Sequence, residues 1–344
     1  MQSLFVQAKN NFDKGKYEKA IQIFEKILKK NPNDLESIIN KASCLAELGK
    51  YEESIEEFEN VLKENPNDFD ALYNKATTLY DMGKYEKSLK VFNHALKINP
   101  KNIDALCNKA NVFVALGKHN YAISIYKRAL KIDPTDIEIL NNIGIVYAGQ
   151  KQHKKAIGYF EDAIDKNKDD IDSLCNIGNS LLEIEEYKLA YDFFSHAVKL
   201  DSKDFDAAFR LGITCNNLNQ PAKALKYFNK ILRKEKNNTD VIINKGCSLH
   251  LMRQYKQSIL CFDKVLKEDP NEMNALYFKA KSATKIQDYN LAFSLISKLL
   301  ELEGKHDHGH HDHTHDHEHF LERIRKDSDF SSLKNNPNFT ALCD

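Results

Sequence analysis

The chain has 344 residues, with 50 basic and 50 acidic side chains and therefore no net charge. That balance excludes a general electrostatic grip on nucleic acid or on an anionic membrane. No apolar run approaches the roughly 18 residues of a membrane helix, and Met1–Phe12 lacks the apolar core of a secretory leader.

The first 34 residues set a pattern that then recurs. Leu4 and the small Ala8 fall at helical spacing, Gly15 follows, and Ala20, Ile21, Phe24 and Leu28 form a second stripe. This predicts two amphipathic helices joined at the glycine, because the chain reversal needs a residue that tolerates positive φ. Asn31-Pro32-Asn33-Asp34 ends the second helix, and Asp34 is placed to cap the next helix, as is Asp68 one unit later.

Later units begin at Leu35, Phe69, Ile103, Ile137, Ile171, Phe205, Thr239 and Met273, without insertion or deletion up to about His306. Position 8 stays small throughout (Ala8, Ala42, Ala76, Ala110, Gly144, Gly178, Gly212, Gly246, Ala280), and so does position 20. Position 24 is aromatic in every unit but the last: Phe24, Phe58, Phe92, Tyr126, Phe160, Phe194, Phe228, Phe262, then Ile296. Where two helices of a hairpin cross, little more than a Cβ fits, so these columns read as packing. A single hairpin cannot bury its own apolar face, and stacking on neighbours supplies the core.

An unbroken 34-residue period with small, small, aromatic and proline columns (Pro32, Pro66, Pro100, Pro134, Pro270) resembles the tetratricopeptide repeat, with Leu or Ile replacing the usual first-helix tryptophan. The resemblance implies an all-α fold, a right-handed α-solenoid (superhelix) of antiparallel helix pairs. Nine repeats over residues 1–305 then form one elongated body, with a C-terminal helical cap at 320–344. It also implies a protein-interaction scaffold or adaptor, since proteins of this family mostly bind other proteins. Neither the partner nor the oligomeric state follows from it.

In the family, positions 2, 5, 6, 9, 12 and 13 of the first helices face a concave groove. Position 6 here carries Asn40, Asn74, Asn108, Asn142, Asn176 and Asn244. Asn is a mediocre helix former, so holding it mid-helix has a local cost. Its amide offers one acceptor and two donors, which can bracket the backbone of an extended peptide. The column is similar to the asparagine ladder of the O-GlcNAc transferase superhelix, although the glycosyltransferase domains are absent. Asn is equally the commonest family residue at this position where no ladder exists, and both readings stand on sequence alone.

Position 2 is acidic in seven consecutive units: Glu36, Asp70, Asp104, Glu138, Asp172, Asp206 and Asp240. A carboxylate in the first helical turn is favoured by the helix dipole whatever the function. With Asp13, Glu47, Asp81 and Glu183 at position 13, the row still gives the first six units a negative lining. Arg210, His250, Lys281 and Lys285 sit at groove positions of the last units. A peptide partner with basic residues toward the N-terminal half suits that gradient, lying across Asn74, Asn108, Asn142 and Asn176. A clamp for the carboxylate tail of cytosolic chaperones does not, because it requires Lys at positions 2 and 5, where the chain has acids and no Lys.

Residues 306–319 alternate imidazoles and acids: His306, His308, His310, His311, His313, His315, His317 and His319, with Asp307, Asp312, Asp316 and Glu318. These are ligands for Zn²⁺, Ni²⁺ and other first-row divalent metals, and the spacing presents pairs on an extended chain or at i,i+4 on a helix. The segment reads as a flexible metal-binding loop, and a metal-responsive or metal-delivering role is the alternative function. A low-complexity expansion without function is also open, whereas the interspersed acids and internal placement argue against a tag. No cofactor is otherwise required. Beyond it, Phe320, Leu321 and Ile324 form a short apolar face suited to covering the last repeat.

Seven scattered cysteines without a CxxC pair fit reduced thiols in a cytoplasmic protein. No glycine-rich phosphate loop, no Gly-x-Ser-x-Gly and no isolated His/Asp/Ser set occurs outside the repeat columns, so an enzyme is not expected. His94, His119, His153, His196 and His250 occupy repeat positions where other units carry Asn, Tyr or Ser, and read as ordinary surface or packing residues.

Overall fold

The computed structural model describes residues 2–306 and 320–334, together with 337 and 339, and every regular element among them is helical. The chain divides into two compact units, Met1–Lys168 and Asp169–Asp344. The first holds five helix pairs: α1 (Gln2–Phe12) and α2 (Tyr17–Leu28), α3 (Leu35–Glu47) and α4 (Tyr51–Glu64), α5 (Phe69–Asp81) and α6 (Tyr85–Ile98), α7 (Ile103–Ala115) and α8 (His119–Leu130), α9 (Ile137–Gly149) and α10 (His153–Lys166). The second holds four more: α11 (Ile171–Glu183) and α12 (Tyr187–Leu200), α13 (Phe205–Asn217) and α14 (Pro221–Leu232), α15 (Thr239–Leu251) and α16 (Tyr255–Glu268), α17 (Met273–Lys285) and α18 (Tyr289–His306). It ends with α19 (Phe320–Lys326) and a 3₁₀ turn (Ser328–Leu333).

The architecture is the all-α solenoid of tandem helix pairs that the period predicts, and its columns do the packing expected of them. Every residue at positions 8, 20 and 24 is buried, from Ala8, Ala20 and Phe24 to Ala280, Ala292 and Ile296. Two further buried columns run through the units. Position 27 (Ile27, Val61, Ala95, Ala129, Ala163, Ala197, Ile231, Val265, Leu299) is more deeply buried than position 28, which closes the sequence-read stripe. In the second to ninth repeats position 10 (Cys44, Thr78, Val112, Val146, Ser180, Thr214, Ser248, Ser282) is small or hydroxyl-bearing and is also covered, whereas Asn10 of the first repeat is exposed. Its polarity hides it in the sequence, since five of these eight residues bear a hydroxyl, although Thr78, Thr214, Ser248 and Ser282 satisfy theirs on a carbonyl one helical turn back.

The turn inside each pair is the same in all nine repeats. Position 15 is left-handed whether it is Gly15, Gly49, Gly83 and Gly117 or Lys151, Glu185, Asn219, Arg253 and Gln287. The next N–H reaches back to a carbonyl five residues earlier, as in Lys50 to Leu45 at 2.9 Å and Gln254 to Leu249 at 2.8 Å. That bond satisfies a carbonyl the helix end would otherwise orphan. Between repeats, Asp68, Asn102, Asp136, Asp170, Asp204, Asn238 and Glu272 cap the following helix through the side chain. Asp34 departs from the expectation. It stands at the N-cap position, but its carboxylate accepts from the Ser37 hydroxyl at 2.8 Å and caps no backbone N–H.

Candidate functional site: the face of the first helices

Within each unit the first helices of successive repeats lie beside one another, α1, α3, α5 and α7 in one and α11, α13, α15 and α17 in the other. On the shared face of the first unit, Asn40, Asn74 and Asn108 are half-buried, as is Asn142 on α9. Asn40 and Asn74 each donate an amide N–H to the carbonyl of the acid one turn earlier, Glu36 at 2.7 Å and Asp70 at 2.9 Å. Asn244 does the same to Asp240 at 2.9 Å in the second unit. Asn108 instead donates to the hydroxyl of Tyr73, one repeat back, at 2.9 Å. Each of these contacts commits one N–H and holds the amide in place. Asn176, on α11, is half-buried and belongs to the second unit.

The acidic row lies one helical turn from the asparagines and is exposed throughout: Glu36, Asp70, Asp104 and Glu138 in the first unit, Asp172, Asp206 and Asp240 in the second. Burial and nearby carboxylates act together on neighbouring groups. Burial, then the charges of Asp136, Glu138 and Asp104, push the Cys107 thiol up to about 12. Burial and then Asp104 raise the Tyr73 phenol. Asp81 at position 13 is also raised, by burial and then by the like charge of Glu47 in the preceding repeat. In all three groups burial leads and neighbouring carboxylates add to it.

In the second unit, burial and then Asp204, Asp172 and Asp206 push Cys175 up to about 12, against the opposing charge of Arg210. A cavity of about 470 Å³ opens beside it, lined in part by Asn179, Asp206, Phe209, Arg210 and Asp240.

The end of this face, on α15 and α17, has a different character. Lys281 lies 2.8 Å from a carboxylate oxygen of Asp327 and 3.0 Å from one of Asp329, and Lys285 reaches the other Asp329 oxygen at 2.8 Å. His250 bridges the Ser282 hydroxyl at 2.9 Å and Asp329 at 3.0 Å. Tyr277 donates its hydroxyl to Asp327 at 2.6 Å. Hydrogen bonding to His250 leads the effects that hold the Asp329 carboxyl well below the usual carboxylate range, outweighing burial. Burial, the largest single effect, would raise Asp327 and lower Lys281, but it is outweighed in sum, so Asp327 is depressed and Lys281 raised. For Asp327 the opposing effects are hydrogen bonds from Lys281, Tyr277 and the Asp329 N–H and the Lys281 charge; for Lys281 they are the hydrogen bonds and charges of Asp327 and Asp329. Sequence reasoning placed His250 among ordinary residues and the basic residues in an open groove. The structure instead pairs His250, Lys281 and Lys285 with the two aspartates, which no repeat column points to.

Of the metal-ligand candidates, His308, His310, His311, His313, His315, His317 and His319 lie outside the described residues, and His306 enters only as the last residue of α18. Among the described residues no group of three or more His, Cys, Asp or Glu side chains is arranged to hold a metal ion. No described helix is long and apolar enough to cross a membrane.

Several family models match the chain. One described as the N-terminal TPR repeats region of Psidin covers residues 10–108, a TPR repeat model covers 110–151, and tetratricopeptide repeat models cover 137–168, 171–204 and 239–272. No curated protein sequence matches it. Among solved structures, the chain is similar to one in the APC/C hetero-tetramer Cut9-Hcn1, with 18% identity, a TM-score of 0.54 and 81% of this chain covered. It spans 55% of the length of that chain. A tetratricopeptide repeat protein from Parabacteroides merdae matches with 18% identity and a TM-score of 0.54, over 71% of this chain and 97% of that one. At such identities the likeness is one of fold.

Proposed function

The chain is a tetratricopeptide repeat protein and carries the fold of an interaction scaffold, and we propose that it binds an extended, basic segment of a partner protein along the first-helix face of its first unit. The observation that carries this reading is the row of exposed carboxylates one helical turn from the asparagines, whose amides at Asn40, Asn74 and Asn108 are held by hydrogen bonds. The exposed acids Asp70, Asp104 and Glu138 recruit Lys or Arg side chains, and the amides of Asn40, Asn74, Asn108 and Asn142 meet the peptide backbone. Opposite charge sets register and speeds encounter, while hydrogen bonds to the backbone accept varied side chains between the basic ones. The likeness to the asparagine ladder of O-GlcNAc transferase belongs to this proposal. So do the absence of catalysis and a cytoplasmic setting, the latter supported by six described cysteines that are all free thiols.

Panning a random 12-residue peptide library on the full chain tests the reading. Enrichment of peptides with spaced Lys or Arg, lost on the triple variant Asp70→Lys, Asp104→Lys, Glu138→Lys, is the expected outcome. Enrichment of neutral or acidic peptides that survive the triple variant contradicts it.

A second reading rests on the composition of 306–319, with eight imidazoles and four acids in 14 residues. It assigns the segment reversible binding of several Zn²⁺ or Ni²⁺ ions, weakened as protonation of the imidazoles removes ligands between about pH 7 and 5.5. Titration calorimetry on the whole chain and on a version with 306–319 replaced by Gly/Ser decides it, and equal heats would remove the reading.

A further inference from the structure

We propose that the first-helix face of repeats eight and nine is a receptor for an acidic peptide of the pattern Asp-x-Asp-Phe, and that the chain's own Asp327–Phe330 occupies it as a built-in ligand. This site is separate in residues and opposite in charge from the basic-peptide face proposed for the first unit.

The residues that receive the segment belong to the same face as the asparagine column. Tyr277, Lys281 and Lys285 stand at positions 5, 9 and 13 of the ninth repeat, and His250 stands at position 12 of the eighth. Position 13 is acidic in the first, second, third and sixth repeats, and the ninth repeat alone carries Lys at both 9 and 13. A surface that was only a lid seat would need apolar area. This one also supplies three cationic or imidazole groups and a phenol to two carboxylates, with every polar contact between 2.6 and 3.0 Å. The aspartates are two apart, and the Asp329 N–H donates to the Asp327 carboxylate at 2.9 Å, which fixes their spacing.

The aromatic element of the pattern is equally specific. Phe330 is fully buried, with its ring edge-on to Tyr277 at 5.8 Å between centroids, and Leu333 is buried beside it. The Arg323 guanidinium lies over Tyr277 at 4.5 Å and over Phe320 at 4.8 Å. A partner peptide therefore needs two carboxylates and a following aromatic ring to replace what the chain supplies to itself. Charge-assisted hydrogen bonds give the orientation and the ring gives the buried area.

The segment is tethered to α18 through residues 307–319, so it competes at a high effective concentration, and a free peptide meets a largely filled site. Neutralising the tethered copy opens the receptor. The test uses the full chain carrying Asp327→Asn and Asp329→Asn, with a fluorescein-labelled synthetic peptide of residues 321–334 as probe, read by fluorescence anisotropy. The account expects binding at least tenfold tighter than to the wild-type chain. It expects that binding to vanish when Lys281→Glu and Lys285→Glu are added, or when the peptide's own aspartates are replaced by Asn.

Should the double variant melt abnormally by circular dichroism, a protease site placed within 307–319 of the otherwise wild-type chain gives a second route. After cleavage the C-terminal fragment should stay bound and exchange with labelled peptide. Probe binding that ignores the charge at Lys281 and Lys285 overturns the proposal. So does a fragment that never exchanges, or absence of binding to the opened, folded chain.

Discussion

Gly144 lies so close to the ring of Phe160 that a Cβ built on it would sit 2.3 Å from Cε1. The same approach recurs at Gly178, Gly212 and Gly246, each against the aromatic ring of its own hairpin. Introducing a methyl into a helix ordinarily gains about 1 kcal/mol over glycine. Here the added methyl would meet a fully buried ring that must shift to admit it, and overpacking costs typically 1–3 kcal/mol. Gly144→Ala should therefore lower stability in urea unfolding by on the order of 1 kcal/mol. Gly158→Ala on the partner helix meets nothing within 4 Å and should raise it. Equal effects of the two would contradict the packing.

The turn glycines make the opposite case. Glu185, Arg253 and Gln287 hold φ of 63°, 60° and 64°, where the first four repeats use glycine. A left-handed residue with a Cβ costs roughly 1–2 kcal/mol, partly offset by the greater freedom of glycine in the unfolded chain. Replacing any of the three with Gly should raise the melting temperature by a few degrees, and replacing Gly83 with Ala should lower it.

Two serines at one repeat position should also behave differently. Ser88 donates to the Ala76 carbonyl at 2.7 Å, whereas the buried Ser54 hydroxyl has no hydrogen-bond partner. A buried polar group without a partner is costly, and an intact neutral bond is worth about 1 kcal/mol. Ser54→Ala is expected to stabilise the fold, and Ser88→Ala to destabilise it, in paired thermal melts.

The C-terminal contacts should be acid-labile in a defined window. Asp327 and Asp329 both ionise more readily in the fold than in the unfolded chain. Their contribution is thus fully present above the unfolded value near 3.9 and fades as pH falls through the lower folded values. The stability gap between wild type and Asp327→Asn/Asp329→Asn should hold constant from pH 7 to 5 and close below about pH 4. A gap that closes near pH 6 would point to a different titrating group.

How much of this was legible in the sequence depended on whether a feature obeyed the period. The crossing residues and the capping asparagines and aspartates repeat with fixed chemistry, and the columns at 8, 20 and 24 read directly. The turn at position 15 was visible only where Gly15, Gly49, Gly83 and Gly117 mark it. In the later repeats neighbouring packing and the hydrogen bond back to the preceding helix impose the same backbone on Lys151 or Arg253. Position 10 was hidden because Thr78 and Ser248 look polar until their hydroxyls are seen to bond within their own helices. The pairing of His250 with Asp329 spans 79 residues and joins a repeat to a segment outside the period, so no column could announce it. Along the acidic face, charge was readable but amide orientation was not. Asn108 reaching Tyr73 while Asn74 turns to its own helix is a consequence of which residue stands one repeat earlier.

The most direct test of the binding face is calorimetry on a library-selected basic peptide with the full chain and its quadruple variant, Asn40→Ala, Asn74→Ala, Asn108→Ala, Asn142→Ala. Each lost neutral hydrogen bond is worth on the order of 1 kcal/mol, so the account predicts an affinity loss of at least a hundredfold. Helicity and melting should stay close to wild type, because the half-buried amides contribute little to the core. A quadruple variant that is folded and binds the peptide as tightly as wild type would show that the asparagine column is repeat architecture alone.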